Sequence, residues 1–228
     1  MTKKNKDLAK WNDKMVLKYH KQGTIFESKN LFTRNIELWR LKIIKKLADY
    51  KTKDVVLDLG CGEGFFLKMI NKPKEIIGID ISRIALKKAW KTNKGRRKIK
   101  ILWGDATNLK NIRDKYFDKI TASEILEHIL YPKKAISEIH RVLKNNGLAI
   151  ISIPNEKVIQ NIVRIAKFFH LEKLMATPRQ QETYEWHLHK ANITWLQKQI
   201  KGYFLVDKII KIPPVLGYRL VVRLKKLK

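Results

Sequence analysis

An α/β fold built on a parallel sheet is what this sequence predicts, on three observations. From Asp54 onward short apolar runs alternate with amphipathic stretches. A glycine-rich turn follows the first apolar run, and the alternation continues through five runs before stopping at Pro154. Strands joined by crossover helices pair in parallel, with helices covering both faces of the sheet.

The elements follow in order. Residues 1–50 form an N-terminal helical extension: Leu8, Trp11, Met15 and Tyr19 recur at helical spacing, as do Ile36, Trp39, Ile43 and Leu47. Val55 to Leu59 is a buried strand, with a helix from about Glu63. Glu75 to Asp80 is a second strand, and a helix spans Ser82 to Trp90. Ile99 to Trp103 and Phe117 to Ala122 are the third and fourth strands. Pro132 stands where a first-turn proline is tolerated, so a helix runs from there to Leu143. Asn145, Asn146 and Gly147 end it, and Leu148 to Ile153 is the fifth strand. Past Pro154, Lys157 to Met175 is amphipathic, with Val158, Ile162, Ile165 and Phe169 on one stripe. A helix near Trp195 to Ile200 precedes a closing strand pair, Tyr203 to Ile210 and Tyr218 to Leu224.

Composition narrows the class. The 228 residues are 44% hydrophobic with six Trp, which excludes a disordered basic tail. One cysteine, Cys61, excludes an internal disulfide framework and a cysteine-rich zinc module. No apolar run approaches the roughly 20 residues that cross a bilayer, and the basic start MTKKNKDLAKW has no apolar core of a signal peptide. A soluble, cytoplasmic protein is expected. The net charge of +29 is spread evenly, with +9 over residues 1–54, +10 over 55–155 and +10 over 156–228. An excess that even reads as a lysine-rich surface as readily as a nucleic-acid footprint.

The most informative segment is VVLDLGCGEGFFL, residues 55–67. Gly60, Gly62 and Gly64 fall at a strand-to-helix turn, where backbone must approach a ligand closely. Phe65 stands where a dinucleotide fingerprint wants Gly or Ala, and the Gly-Lys-Ser/Thr of a phosphate loop is absent. Asp58 and Glu63 put carboxylates where a pyrophosphate would sit. A ligand with positive charge at that end suits the loop better, and S-adenosylmethionine, with its ammonium and sulfonium, is one. Asp80 ends the second strand, where an acid can bind ribose hydroxyls, and Asp105 ends the third, where it also reads as a turn cap.

In DLGCGEG (58–64), GIDIS (78–82), GDATNL (104–109), EILEHI (124–129) and RVLKNNGLAIISIPN (141–155) the chain resembles the class I S-adenosylmethionine-dependent methyltransferases. Within that class it resembles the ubiquinone- and menaquinone-biosynthesis members of the methyltransferase type 11 group. EGFF replaces the commoner Thr-Gly ending of the loop. The resemblance implies a Rossmann-like three-layer sandwich with a seven-stranded, mostly parallel sheet whose last strand is antiparallel. The methyltransferase domain would cover 51–225, with a substrate-lid insertion at about 156–190. It also implies roles: Asp58, Gly60, Cys61 and Gly62 at the methionine end, Asp80 and Ile81 at the ribose, Asp105 and Ala106 at the adenine, and Ser123 as a further cofactor-binding residue.

For the acceptor side, three readings of His128 stand: a brace for its loop, a base for O-methylation, or a metal ligand. The ubiquinone-pathway O-methyltransferases and small-RNA 2′-O-methyltransferases carry a similar ExxEH with a distant His. That resemblance implies Glu124, Glu127 and His128 with His187 or His189 around Mn²⁺, Zn²⁺ or Fe²⁺. Without that metal, His128 is the catalytic candidate. Tyr184, Trp186 and His187 are candidates to line the acceptor pocket, and the helix after Pro154 suits a lipid or membrane surface. A small aromatic or quinone-type acceptor leads. RNA methylation and a non-catalytic binding subunit are the alternatives.

Overall fold

The computed structural model describes residues 3–19, 26, 30–168 and 186–227. Two helices, α1 (Lys3–Tyr19) and α2 (Leu31–Ala48), precede β1 (Val55–Leu59), α3 (Phe65–Met69), β2 (Glu75–Asp80), α4 (Arg83–Thr92), β3 (Ile99–Trp103) and β4 (Phe117–Ser123). After a short 3-10 turn, Leu126–His128, come α5 (Pro132–Val142), β5 (Leu143–Pro154), α6 (Glu156–Phe168), α7 (Ile193–Ile200), β6 (Phe204–Ile212) and β7 (Arg219–Lys226). The seven strands make one sheet in the order β3-β2-β1-β4-β5-β7-β6. β1 to β5 run parallel, and β7 lies antiparallel between β5 and β6. This is the expected seven-stranded, mostly parallel sheet.

Successive strand residues alternate between two cores, as the two-residue period of a strand requires. Leu57, Ile77, Ile120 and Ile151 face α5 and α7, while Val56, Ile76, Ile101 and Ile150 face α2, α3 and α4. The sheet is therefore the middle of three layers. Residue 50 marks no break in packing, because Leu41, Ile44 and Leu47 of α2 belong to the second core. Among the described residues no helix is long and apolar enough to cross a membrane.

Three local expectations change. The buried face of α2 is Ile36, Glu37, Arg40, Leu41, Ile44 and Leu47, while Trp39 is exposed. The Glu37–Arg40 ion pair, 2.7 Å, allows two charges into that face and turns the helix away from the purely apolar stripe. Asn145, Asn146 and Gly147 do not separate helix from strand. They form a bulge inside β5, where the register steps from Phe117 opposite Leu143 to Lys119 opposite Leu148. A Cβ at Gly147 would stand 2.6 Å from the Leu143 side chain and 3.0 Å from the Asp118 carbonyl oxygen, which reserves the position for glycine. In α6, Ile165 is exposed rather than part of a buried stripe; Phe169 lies outside the described residues.

Candidate functional site

β1, β2 and β4 end side by side at one edge of the sheet, and their last residues build the site. After β1 the chain turns back on β2: the Gly60 and Cys61 amides both donate to the Ile79 carbonyl, at 2.7 and 3.1 Å. That reversal needs left-handed backbone, with φ of 75° at Gly60 and 51° at Gly62. The two glycines have different neighbourhoods. A Cβ at Gly60 would collide with Ile125 at 2.4 Å, whereas one at Gly62 would meet no atom within 4 Å. Gly62 thus opens onto space beside the loop. The Cys61 side chain points the other way, into the core against Gly78.

Asp80 ends β2 and accepts from the Gly62 amide and the Ser82 amide, both at 2.8 Å. It ties the glycine loop to the start of α4. Burial raises its carboxyl above the usual range against the pull of those amides. The Trp103 indole donates to the Ile81 carbonyl, and the Gly104 amide to that of Asp80, so the ends of β2 and β3 are joined. Asp105 accepts from the Thr107 amide and hydroxyl, both at 2.8 Å, and so caps its own turn, next to buried Ala106.

Asp58 lies beneath the loop, 2% exposed, and accepts from the Thr121 hydroxyl at 2.9 Å. Burial pushes its carboxyl up to about 7, with Asp80 adding repulsion. A buried acid in that state is stabilised by a cation placed beside it. Behind it stands a buried ion network absent from the sequence reading. Arg40 donates to Glu37 at 2.7 Å, to Ser152 at 2.9 Å and to Ser123, while Arg219 of β7 bridges Glu37 and Glu124 at 3.2 Å each. Burial opposes ionisation of Glu37, yet Arg40 and Arg219 hold its carboxyl below the usual range. The available signal was the pair of charges at Glu37 and Arg40, three apart on a helix whose neighbours Ile36, Leu41 and Ile44 are core.

Past β4, Glu124 takes a left-handed φ of 53° and bonds Arg219 and Ser152. It does not join Glu127, His128 and His187, whose ligating atoms lie within 4.8 Å of one another. Both carboxylate oxygens of Glu127 are buried with no hydrogen-bond partner. Burial, then repulsion from Glu124, raises this carboxyl well above its usual range. His128 Nδ1 meets the Trp186 carbonyl at 3.1 Å, which only accepts, so Nδ1 carries the hydrogen and Nε2 the lone pair. His187 Nδ1 meets Glu156 at 2.8 Å. His189 turns away to the Ile129 carbonyl and the Trp195 ring. Burial and His187 lower the His128 pKa to about 3, so the imidazole is neutral.

Helix α1 roofs this edge. Asp13 accepts from the Ser82 hydroxyl at 2.6 Å and the Ile84 amide at 3.2 Å. Next to it on α1, Asn12 accepts from the Trp186 indole, which also stacks on Tyr19 at 5.9 Å and contacts His128 at 4.9 Å. Tyr184 lies outside the described residues.

A three-layer Rossmann-like sheet with a glycine loop after β1 and acids ending β1 and β2 defines an α/β nucleotide-type binding domain. Residues 57–151 match the methyltransferase domain family, so this part of the chain is a methyltransferase domain of the class I S-adenosylmethionine-dependent type. It is 33% identical over 162 residues to an uncharacterised protein of Methanocaldococcus jannaschii, covering 69% of this chain and 57% of that one. It is 34% identical over 116 residues to a demethylmenaquinone methyltransferase of Lactobacillus johnsonii, covering 48% and 47%. The chain thus spans about half the length of the curated relatives it matches. Among solved structures, the N-methyltransferase NodS of Bradyrhizobium japonicum, in complex with S-adenosylhomocysteine, shares the fold with a TM-score of 0.64 at 14% identity, covering 85% and 88%.

Proposed function

We propose that this protein transfers a methyl group from S-adenosylmethionine to a small aromatic or quinone-type acceptor. The observation that carries the cofactor half is Asp58: a buried acid held near neutrality, under a loop that opens at Gly62, fits a ligand bearing an ammonium group. The bound cofactor supplies an electrophilic methyl carbon on sulfur, which leaves as neutral thioether. Asp58 and the Gly60–Gly62 backbone hold the methionine end. Asp80 has its amide partners arranged so that its carboxylate stays fixed for the ribose, with Ile81 beside it, and Asp105 with Ala106 flanks the adenine. Ser123, oriented by Arg40, borders the reacting end. Helix α1 belongs to the site as its cover, and Glu156, Trp186 and His187 stand on the acceptor's side. Alignment of acceptor and methyl supplies much of the rate of such a displacement.

The acceptor reading rests on the aromatic roof, Tyr19 and Trp186 next to His128, and on the quinone methyltransferase relatives. His128, neutral and with its lone pair on Nε2, orients the acceptor through a hydrogen bond. A pKa of about 3 makes it a weak base, so an acceptor that must lose a proton needs further activation. The test is incubation with methyl-labelled cofactor and a fractionated extract of the source cells. Label in the solvent-extractable lipid and aromatic fraction supports the proposal; label confined to RNA or protein contradicts the acceptor.

One observation favours a metal-assisted form of the same reaction. The partnerless Glu127 oxygens beside two imidazoles fit a divalent cation, and each imidazole has its Nδ1 engaged elsewhere, as ligating histidines do. Glu127, His128 and His187 would hold it, and it would lower the pKa of an acceptor hydroxyl. Metal analysis of untagged protein checks this: about one equivalent, lost in Glu127→Gln, supports it, and metal-free protein of unimpaired activity removes it.

A further inference from the structure

The outer surface of α4 carries a pattern that methyl transfer does not use. Arg83, Lys87, Trp90 and Lys91 lie four, three and one residues apart on one face of α4, which runs away from the site, and Lys94 follows just past its end. All five are exposed, and Trp90 stands 61% exposed in their midst. Residues 83–100 contain nine basic groups and no acid. Two of the nine are spent on ion pairs, Lys88 with Glu63 and Lys100 with Glu75. Among the described residues none pairs Lys87, Lys91, Lys94, Arg97 or Lys98.

The stripe is held in shape at its far end. Arg96 donates to the carbonyls of Leu67 and Ile70 at 2.8 and 2.5 Å, and Asn93 to those of Gly64 and Ala89 at 3.1 and 3.0 Å. These bonds clamp the 93–98 loop onto α3, so Arg97 and Lys98 are presented from a pinned backbone. The same contacts bring the stripe to the chain that leads into Lys72. There a cleft of about 360 Å³ is lined by Lys42, Lys45, Lys46 and Lys72, with Asp49 as its acid. Both the 93–98 loop and this cleft lie at the edge where β1, β2 and β3 begin, opposite the cofactor loop.

We infer that this surface binds single-stranded RNA, independently of which acceptor is methylated. The cations match a polyanion, the cleft matches a strand rather than a flat surface, and the exposed indole among lysines offers a base a stacking platform. A bilayer would want several apolar groups together, and α4 presents one.

The experiment is fluorescence anisotropy with a short labelled mixed-sequence RNA over a salt series. Parallel samples contain the same RNA as a duplex, or vesicles of phosphatidylcholine and phosphatidylglycerol in equal parts. The wild-type protein should bind the single strand at near-physiological salt, and more tightly than the duplex. Trp90→Ala should weaken binding at least about fivefold with little change in salt slope. Lys87→Gln with Lys91→Gln and Lys94→Gln should reduce that slope by about two. Unchanged melting temperatures show that both variants fold. The inference is overturned by absence of RNA binding, by a preference for vesicles or duplex, or by both variants binding as the wild type does.

Discussion

Asp58 and the loop glycines set the strongest expectations at the level of single residues. On the proposed cofactor site an ammonium ligand would bind the ionised form of Asp58, whose folded pKa lies near 7. Its affinity should therefore fall as pH drops below about 7, approaching tenfold per pH unit. Titration with S-adenosylhomocysteine between pH 5.5 and 8 checks this, and Asp58→Asn should bind more weakly with a flat profile. The glycines separate fold from function. Gly60→Ala drives a Cβ into Ile125 in left-handed backbone and should destabilise the protein by more than the ~1–2 kcal/mol of backbone strain alone. Gly62→Ala bears the strain without the collision, so its thermal midpoint should move less while ligand binding suffers more. The glycines, Asp58 and Asp80 were legible because a strand-to-helix turn constrains residue type locally. Arg40, Glu37 and Arg219 were not, because their partners come from α2, β4, β5 and β7, and no local pattern encodes a pairing 182 residues apart.

Among the elements, the five parallel strands were legible because buried strands are short apolar runs bounded by turns. The bulge in β5 escaped because Asn-Asn-Gly ordinarily ends a helix, and only the opposing strand shows it to be an extra loop of ladder. Helix α1 could be read as a helix but not as a roof, since its position is held by polar contacts from Asn12 and Asp13 in its middle and by the Tyr19 ring at its end. Asp13 at the start of α4 is the contact that can be removed cleanly. Asp13→Ala should cost about 1–2 kcal/mol of local stability. Hydrogen exchange should then rise across residues 3–19 while the sheet stays protected, and cofactor affinity should fall. Unchanged exchange in α1 would mean that Trp186, Tyr19 and Asn12 suffice to hold it.

For the whole molecule, the even excess of cations is a self-repulsion as well as a surface for partners. Screening it should raise the melting temperature, by about 2–4 °C for each ~1 kcal/mol recovered. A fall on adding sodium chloride at moderate concentration would show that specific ion pairs such as Arg141 with Glu138 outweigh the general repulsion. Architecture placed the charge where composition could not: the densest part lies on the outer face of α4 and on the loop that enters β3. On the proposed reading the chemistry rests on buried acids within a basic molecule. The most direct measurement of that claim is calorimetric titration of S-adenosylhomocysteine into the wild-type protein and Asp80→Ala. One site in the wild type, and at least about tenfold weaker binding in a folded Asp80→Ala, is the result predicted. No binding by the wild type, or equal binding by the variant, would contradict it.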